Sequence, residues 1–427
     1  MTLTRRESLR LAGFGAITAI TGGCRAPAPE SGPNESQRRI AKVIGEYEAQ
    51  GFHRTATAVD EESGRWLADQ VRLAGLPPAS LEPFPVNRVD LQTCTCTISN
   101  RRIEGLPYFD SAFTPAEGVR GRLGELGSDA EIGLYVTNEN NTNKNRPANV
   151  SEVGQLGEER RAKKSRHRAI IVVTQGRTDG LCPSNADSFL SPFGPPVLQV
   201  SSEEKEWLED HARRGSEVRV VAHATRTEAM AHNVTAKLEG TDPTLAPLVV
   251  MTPRSGWYAC GSERGAGLAC WLEIIRGMVI SRTRHSVLFV ASSGHELGHL
   301  GIDAFTARRA GIVKHAIAWL HLGANIGAAT DSSDVRLQAS DAELDRSVTD
   351  ALKSVGIKVV QRTEKDSVPK GEIGNVHRGG GRYASVICGN KLFHNIFDHG
   401  PEVTSPEAVE KFSIALSAVS RSIAGAA

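Results

Sequence analysis

Val287-Leu288-Phe289-Val290-Ala291-Ser292-Ser293-Gly294-His295-Glu296-Leu297-Gly298-His299-Leu300-Gly301 opens with four apolar residues in a row and closes in a turn rich in glycine and ionisable groups. An unbroken apolar run of this length reads as a strand buried on both faces. Upstream, Leu248-Val249-Val250-Met251 is a second such run, and Leu268, Trp271, Leu272 and Ile275 recur between the two at helical spacing. Ile317 to Leu322 and Ala384 to Ile387 are further apolar runs. A closing helix starts at Ser405-Pro406, an N-cap and first-turn pair, and carries Phe412, Leu416, Val419 and Ile423 on one face. Strand, helix and strand in this rhythm predict an α/β fold, a sheet covered by helices on both sides. Its ligand site then lies at the carboxyl ends of the strands.

The residues at those ends are polar and ionisable. Arg254, Ser255 and Trp257 follow the first strand; Ser262, Glu263 and Arg264 precede the helix; His295, Glu296 and His299 follow the second strand. His321 and Asn325 accompany the third, and His394 lies near the end. His295-Glu296-Leu297-Gly298-His299 also fits the two-histidine zinc motif, in which histidines four apart share a helix face and the intervening glutamate activates water. Gly294, Gly298 and Gly301 argue against a helix there, so packing competes with ligation as the role of His299.

Outward from this core, Ile40, Val43, Ile44 and Tyr47, then Trp66, Leu67, Val71 and Ala74, predict two opening helices. From about Leu91 to Val234 short apolar runs separated by Gly, Pro and Asn predict a β-rich insert. Within it, residues 138–168 form a polar stretch ending in six basic residues; with no aromatic residues interleaved to stack on bases, it reads as a solvated loop. Fifty basic residues balance forty-nine acidic ones, a formal net charge of +1, so no field covers the molecule that would favour nucleic acid or an anionic membrane. Thr4-Arg5-Arg6-Glu7-Ser8-Leu9 before an apolar stretch and Gly22-Gly23-Cys24 have the layout of a twin-arginine export signal. Export to the periplasm or beyond is expected, with membrane attachment through a lipid on Cys24 if the signal is also cleaved as a lipoprotein. The other six cysteines show no spacing that specifies disulfides, and free, buried thiols are expected.

Leu248 to Thr252, the helix at Gly267 to Arg276 and the strand-turn at Val287 to Gly301 together resemble the catalytic core of the co-catalytic zinc aminopeptidases, whose relatives include glutamate carboxypeptidase and the transferrin receptor. Ala169 to Val173, Pro195 to Ser201 and Gly215 to Val221 resemble the protease-associated domain inserted in such chains, and Asn233 to Gly240 resembles the strand by which they re-enter the core. The resemblance implies a three-layer α/β/α zinc-exopeptidase-like core with a mixed sheet. It divides the chain into a signal at 1–24, a linker at 25–37, a first part of the catalytic domain at 38–90, an insert at 91–234 and the main catalytic domain at 235–427.

The sequence departs from the family at the metals. The family's first histidine and following aspartate fall on Pro253 and Ser255, its bridging aspartate on Glu263, and its paired glutamates on His295 and Glu296. Its later aspartate falls on His321 and its last histidine on His394, followed by Asp398. One zinc ion rather than two is therefore expected, on Glu263, Glu296, His321 and His394, with His299 as a rival ligand. His295 and Glu296 are the expected catalytic pair. Arg254, Ser255, Trp257, Arg264 and Asn325 are the expected substrate contacts, Arg254 and Arg264 for a carboxylate. The implied activity is metal-dependent hydrolysis of a peptide or another small amide. The alternatives are a non-catalytic binding relative, and a metal-independent amidohydrolase using His295 with a glutamate.

Overall fold

In the computed structural model the described residues are 32–137, 154–162, 165–330, 334–364 and 367–426. The export signal with Cys24, and residues 138–153 of the polar stretch, lie outside the described residues. α1 (Glu35–Glu48) starts at Asn34, whose side chain accepts from the Gln37 amide while the Gln37 side chain accepts from the Asn34 amide. α2 (Ala58–Leu73) starts at Thr57, whose hydroxyl accepts from the Asp60 amide. The two helices bury Ile40, Val43, Ile44, Tyr47, Leu67 and Val71, the stripes read from the sequence.

The long strand β1 (Ser80–Ile98) leads into β2 (Arg101–Glu104), β3 (Leu106–Pro107), β4 (Val119–Glu125), β5 (Ile132–Val136), α3 (Gly154–Arg161), β6 (Ala169–Val173), β7 (Val197–Val200) and α4 (Lys205–Arg213). The chain returns along β8 (Glu217–Leu238), antiparallel to β1 from Ser80 opposite Thr235 to Thr97 opposite Arg219. Ile132, Ile171, Leu198, Leu208 and Val220 give this region a core of its own. Residues 91 and 234 fall inside β1 and β8, which run continuously from the main core into the β-rich region. Arg160, read as part of a solvated basic tract, is buried on α3 and paired with Asp110 at 3.0 Å.

The remainder is β9 (Leu248–Pro253), α5 (Ala266–Val279), β10 (Val287–Ser292), α6 (Leu300–Arg308), α7 (Ile312–His315), β11 (Ala318–Leu322), β12 (Val335–Ala339), α8 (Ala342–Ser354), β13 (Val359–Arg362), α9 (Ile373–Arg378), β14 (Tyr383–Cys388) and α10 (Pro406–Ile423). Strand order here is β13-β12-β14-β11-β9-β10-β8. β14, β11, β9 and β10 are mutually parallel, whereas β12 and β8 join them antiparallel, so the sheet is mixed. Alternate residues face opposite layers. Leu248, Val250, Phe289 and Leu320 pack with Trp271 of α5 and Phe412 of α10; Val249, Met251, Val290 and Trp319 pack with Ile302 and Phe305 of α6 and Val376 of α9. Each large side chain buried this way contributes about 1.5–3 kcal/mol. The result is the expected three-layer α/β/α core. Its four parallel strands place their carboxyl ends, followed by Arg254, Ser293, Gly323 and Gly389, along one edge.

Candidate active site

The turn after β10 is not a helix. A short 3-10 turn covers His295–Leu297, and Gly294, Gly298 and His299 then adopt left-handed backbone before α6 begins. A two-histidine zinc helix is thereby not formed, although the rings of His295 and His299 lie 5.0 Å apart. Before α5, Cys260 is left-handed and Gly261–Gly265 makes one turn of π-helix, a wide turn that directs Glu263 and Arg264 into the interior. Among the described residues six non-glycines have positive φ, and three of them, His299, Asn325 and His394, line the same cleft. Such backbone costs about 1–3 kcal/mol per residue and persists where surrounding structure enforces it.

His295, His299, His321, His394 and Asn325 share a cleft of about 210 Å³ at the strand ends. His295 Nδ1 stands 3.4 Å from Oε1 of Glu372, whose Oε2 accepts from the Ser292 hydroxyl at 2.6 Å. His321 Nδ1 meets the Ser385 hydroxyl at 2.8 Å, its register partner across β11 and β14. His299 Nδ1 lies 3.1 Å from the Asn375 side-chain oxygen, and His394 Nδ1 lies 2.7 Å from the Pro183 carbonyl. Burial favours the neutral form of His295, His299 and His321. It pushes His295 well below the ordinary histidine value, the Arg264 cation adding to the effect, and takes His321 to about 3 and His299 to about 4. The same burial pushes the Glu372 carboxyl up to about 8.

The expected glutamates are engaged elsewhere. Glu263 Oε1 pairs with the Arg264 guanidinium at 2.7 Å, while its Oε2 accepts from the His394 amide at 3.2 Å. Both oxygens of Glu296 are taken, Oε1 by the Thr55 amide and hydroxyl at 2.7 Å each, Oε2 by the Ser255 hydroxyl at 2.7 Å. Of the five expected substrate contacts only Asn325 lines the cleft. Arg254 is fully buried, paired with Asp60 at 2.9 Å and bonded to the His232 carbonyl. Ser255 is held by Glu296, Trp257 donates to Asn185 at 3.1 Å, and Arg264 donates to the Ser255 carbonyl at 2.8 Å. A buried guanidinium needs its partners inside the protein, so both arginines are internal counter-charges and not surface contacts. Glu372, missed in the sequence, follows Lys370-Gly371 at no strand end and in no motif, so no local signal marks it.

The donors have the right chemistry for zinc, but among the described residues no three His, Cys, Asp or Glu side chains gather with the geometry of a metal site. Glu296 is saturated by three donors, and the fixed cation of Arg264 sits on Glu263, where it would repel a metal ion. Glu296 therefore does not fit the expected zinc site on Glu263, Glu296, His321 and His394, whereas His394 Nε2 approaches Glu263 Oε1 at 3.5 Å and His321 Nε2 is buried without a hydrogen-bond partner among the described residues.

No sequence-family model matches the chain, and no curated protein matches it by sequence. Solved structures do match its fold. A zinc aminopeptidase from Bacillus subtilis superimposes with a TM-score of 0.71 at 17% identity, covering 90% of this chain and 94% of that one. A peptidase M28 precursor from Shewanella amazonensis gives 0.72 at 14% identity, covering 91% and 94%. An aminopeptidase from an Aneurinibacillus strain gives 0.65 at 17%, covering 90% and 93%. The chain has the zinc-aminopeptidase fold along nearly all its described length.

Proposed function

We propose that this chain is an exported hydrolase of the exopeptidase type that cleaves a peptide or another small amide in the histidine-lined cleft, with His295 as general base and Glu372 as the residue that positions it. The observation carrying this reading is that His295, on the wall of the cleft, turns its Nδ1 to within 3.4 Å of Glu372 Oε1 behind it, both atoms buried and neither with a hydrogen-bond partner among the described residues. With Nδ1 turned to the carboxyl, Nε2 is the nitrogen left for a ligand. In the form with Glu372 ionised and the ring proton on Nδ1, Nε2 takes a proton from water as the water oxygen attacks the amide carbon, then returns it to the leaving amine. Arg264 contributes fixed positive charge within electrostatic reach of both residues, the environment in which negative charge on the carbonyl oxygen is stabilised. The fold shared with aminopeptidases supports amide hydrolysis, and the twin-arginine layout supports action in the periplasm or outside the cell. The β-rich region at 91–234 is proposed to be a protease-associated-like insert flanking the cleft.

The test is hydrolysis of aminoacyl p-nitroanilides and dipeptide amides by the purified mature chain and by His295→Asn. A loss of about 10²–10³-fold in kcat with a circular-dichroism spectrum like that of the wild type is expected; undiminished turnover in His295→Asn contradicts the assignment. A second reading keeps one zinc ion on His321, His394 and Glu263. It is favoured by the Nε2 of His321, which is buried and without a hydrogen-bond partner among the described residues. Stoichiometric zinc in the purified protein, lost in His321→Leu, would establish it in place of the first.

A further inference from the structure

His299 reaches the cleft beside His295 by a strained backbone route. The two residues are four apart and share no helix; left-handed backbone at Gly298 (φ 80°) and at His299 itself (φ 69°) accompanies the approach of their rings to 5.0 Å. Such backbone at a non-glycine residue persists where the surroundings enforce it. Those surroundings also fix which ring nitrogen carries the hydrogen. His299 Nδ1 lies 3.1 Å from Oδ1 of Asn375. The same oxygen accepts from the Arg378 guanidinium at 2.9 Å, and the Asn375 side-chain nitrogen donates to Asp303 Oδ1 at 2.5 Å. A guanidinium only donates and a carboxylate only accepts, so the Asn375 amide has one orientation; turned over, it would set its NH2 against Arg378 and its oxygen against Asp303. With an oxygen facing it, Nδ1 of His299 carries the hydrogen. In the neutral ring that burial favours, Nε2 is then a hydrogen-bond acceptor on the cleft wall.

We propose that His299 is the second holder of the attacking water: the molecule donates one O–H to His295 Nε2 and the other to His299 Nε2, leaving an oxygen lone pair for the amide carbon. This rests on His295 acting as the base in this cleft, and it gives the neighbouring histidine the task of orienting the water that His295 deprotonates. Two acceptors that share one water stand about 4.5 Å apart, from two hydrogen bonds of about 2.8 Å at the water's own angle, a span of the same size as the separation of the two rings. A nucleophile held in its attacking orientation has less entropy to lose on the way to the transition state. As the water oxygen bonds to carbon, the carbonyl π-electrons move onto the carbonyl oxygen and the first proton passes to His295. That proton goes to the amide nitrogen as the C–N bond breaks and the carbonyl re-forms. The hydrogen held by His299 stays with the product carboxyl group, so His299 takes up a proton at no step. Asn375 is a positioning residue, itself fixed by Asp303 and Arg378: it keeps the hydrogen on Nδ1 so that Nε2 accepts. In the other tautomer Nε2–H would aim a hydrogen at the water and turn it away.

Two measurements on the purified mature chain test this. NMR of the protein labelled in its histidine ring nitrogens, with His299 assigned by its absence in His299→Gln, is expected to show the Nδ1–H tautomer in the wild type and a mixture of tautomers in Asn375→Leu. Turnover of aminoacyl p-nitroanilides is then compared in His299→Met and His299→Gln, two side chains of matched size on the same strained backbone that differ in offering an acceptor. His299→Met is expected to lose about 10²-fold in kcat with KM within about twofold of the wild type, and His299→Gln to recover at least about tenfold of that loss. Equal losses in the two variants, a loss confined to KM, or an Nε2–H tautomer in the wild type overturns the proposal. If His295→Asn is inactive in the same assay, the general-base reading survives that failure. A wild-type chain that hydrolyses nothing, or His295→Asn at the full rate, overturns both. The tautomer is read on the unaltered protein, so it decides even where a variant misfolds.

Discussion

Glu372 is the residue whose surroundings make the sharpest demands. Its carboxyl is fully buried, bonded to Ser292 and set against His295, and burial lifts it from an ordinary 4.5 to about 8. The folded chain therefore keeps a proton that the unfolded chain has released above about 4.5, so this group's contribution to stability is fully present below that value and is lost as pH climbs to about 8. Glu372→Gln removes the titration: thermal melts of variant and wild type should coincide near the acid end and diverge in the variant's favour by a few kcal/mol towards the alkaline end. A difference independent of pH would contradict the buried, protonated carboxyl. Activity carries the opposite slope, because the ionised carboxylate is the form that orients the base. Turnover should rise with pH towards about 8 in the wild type, and the variant should lose that limb together with about tenfold or more in kcat. The arginines separate in a similar way. Arg254→Met breaks a fully buried pair and should cost about 3–5 kcal/mol, measured by urea denaturation. None of this was legible in the sequence, since Asp60, Thr55 and Glu372 reach the site from distant segments that no periodicity or motif connects.

At the scale of elements, the turn from β10 into α6 shows how glycine sets the site. A Cβ on Gly301 would stand 2.0 Å from the Ser293 carbonyl oxygen and 2.5 Å from the Asn233 side-chain oxygen, so helix and strand approach there only because the side chain is missing. Gly301→Ala should destabilise the fold by roughly 2–4 kcal/mol in chemical denaturation and disorder the neighbouring His295 and His299; a neutral effect would mean that the packing seen at this turn is not maintained in solution. The strands themselves were legible. β9, β10, β11 and β14 are near-continuous apolar runs because helices cover both faces, and the Ser405-Pro406 signal opens α10, where the Ser405 hydroxyl accepts from the Ala408 amide. The histidines at the strand ends followed from the same reading. What failed was the assumption that every ionisable strand-end residue faces outward. After β9 the chain dives beneath α2, so Arg254 and Ser255 serve Asp60 and Glu296, and the π-turn at Gly261–Gly265 folds Arg264 back onto Glu263.

Across the whole molecule, three layers and a mixed sheet bring a cluster of four buried or half-buried histidines, His295, His299, His321 and His394, to one cleft at the carboxyl edge of four parallel strands. This is the fold of zinc aminopeptidases. A guanidinium sits on Glu263, and the carboxylates expected to hold a metal are bonded to the protein itself. The scaffold explains why the sequence resembled metallopeptidases over its length while its metal positions did not: strand patterning is fixed by burial, which many sequences satisfy, whereas a metal site depends on a handful of side chains that can change without disturbing the layers. Hydrolysis is proposed to depend on His295 as base with Glu372 positioning it, and this pair, rather than a metal ion, is proposed to activate the water. The direct test is the rate of peptide-amide hydrolysis by the purified chain before and after exhaustive chelation, with the metal content of the same samples. An unchanged rate at substoichiometric metal is the predicted result; loss of activity on chelation, restored by zinc, would contradict it.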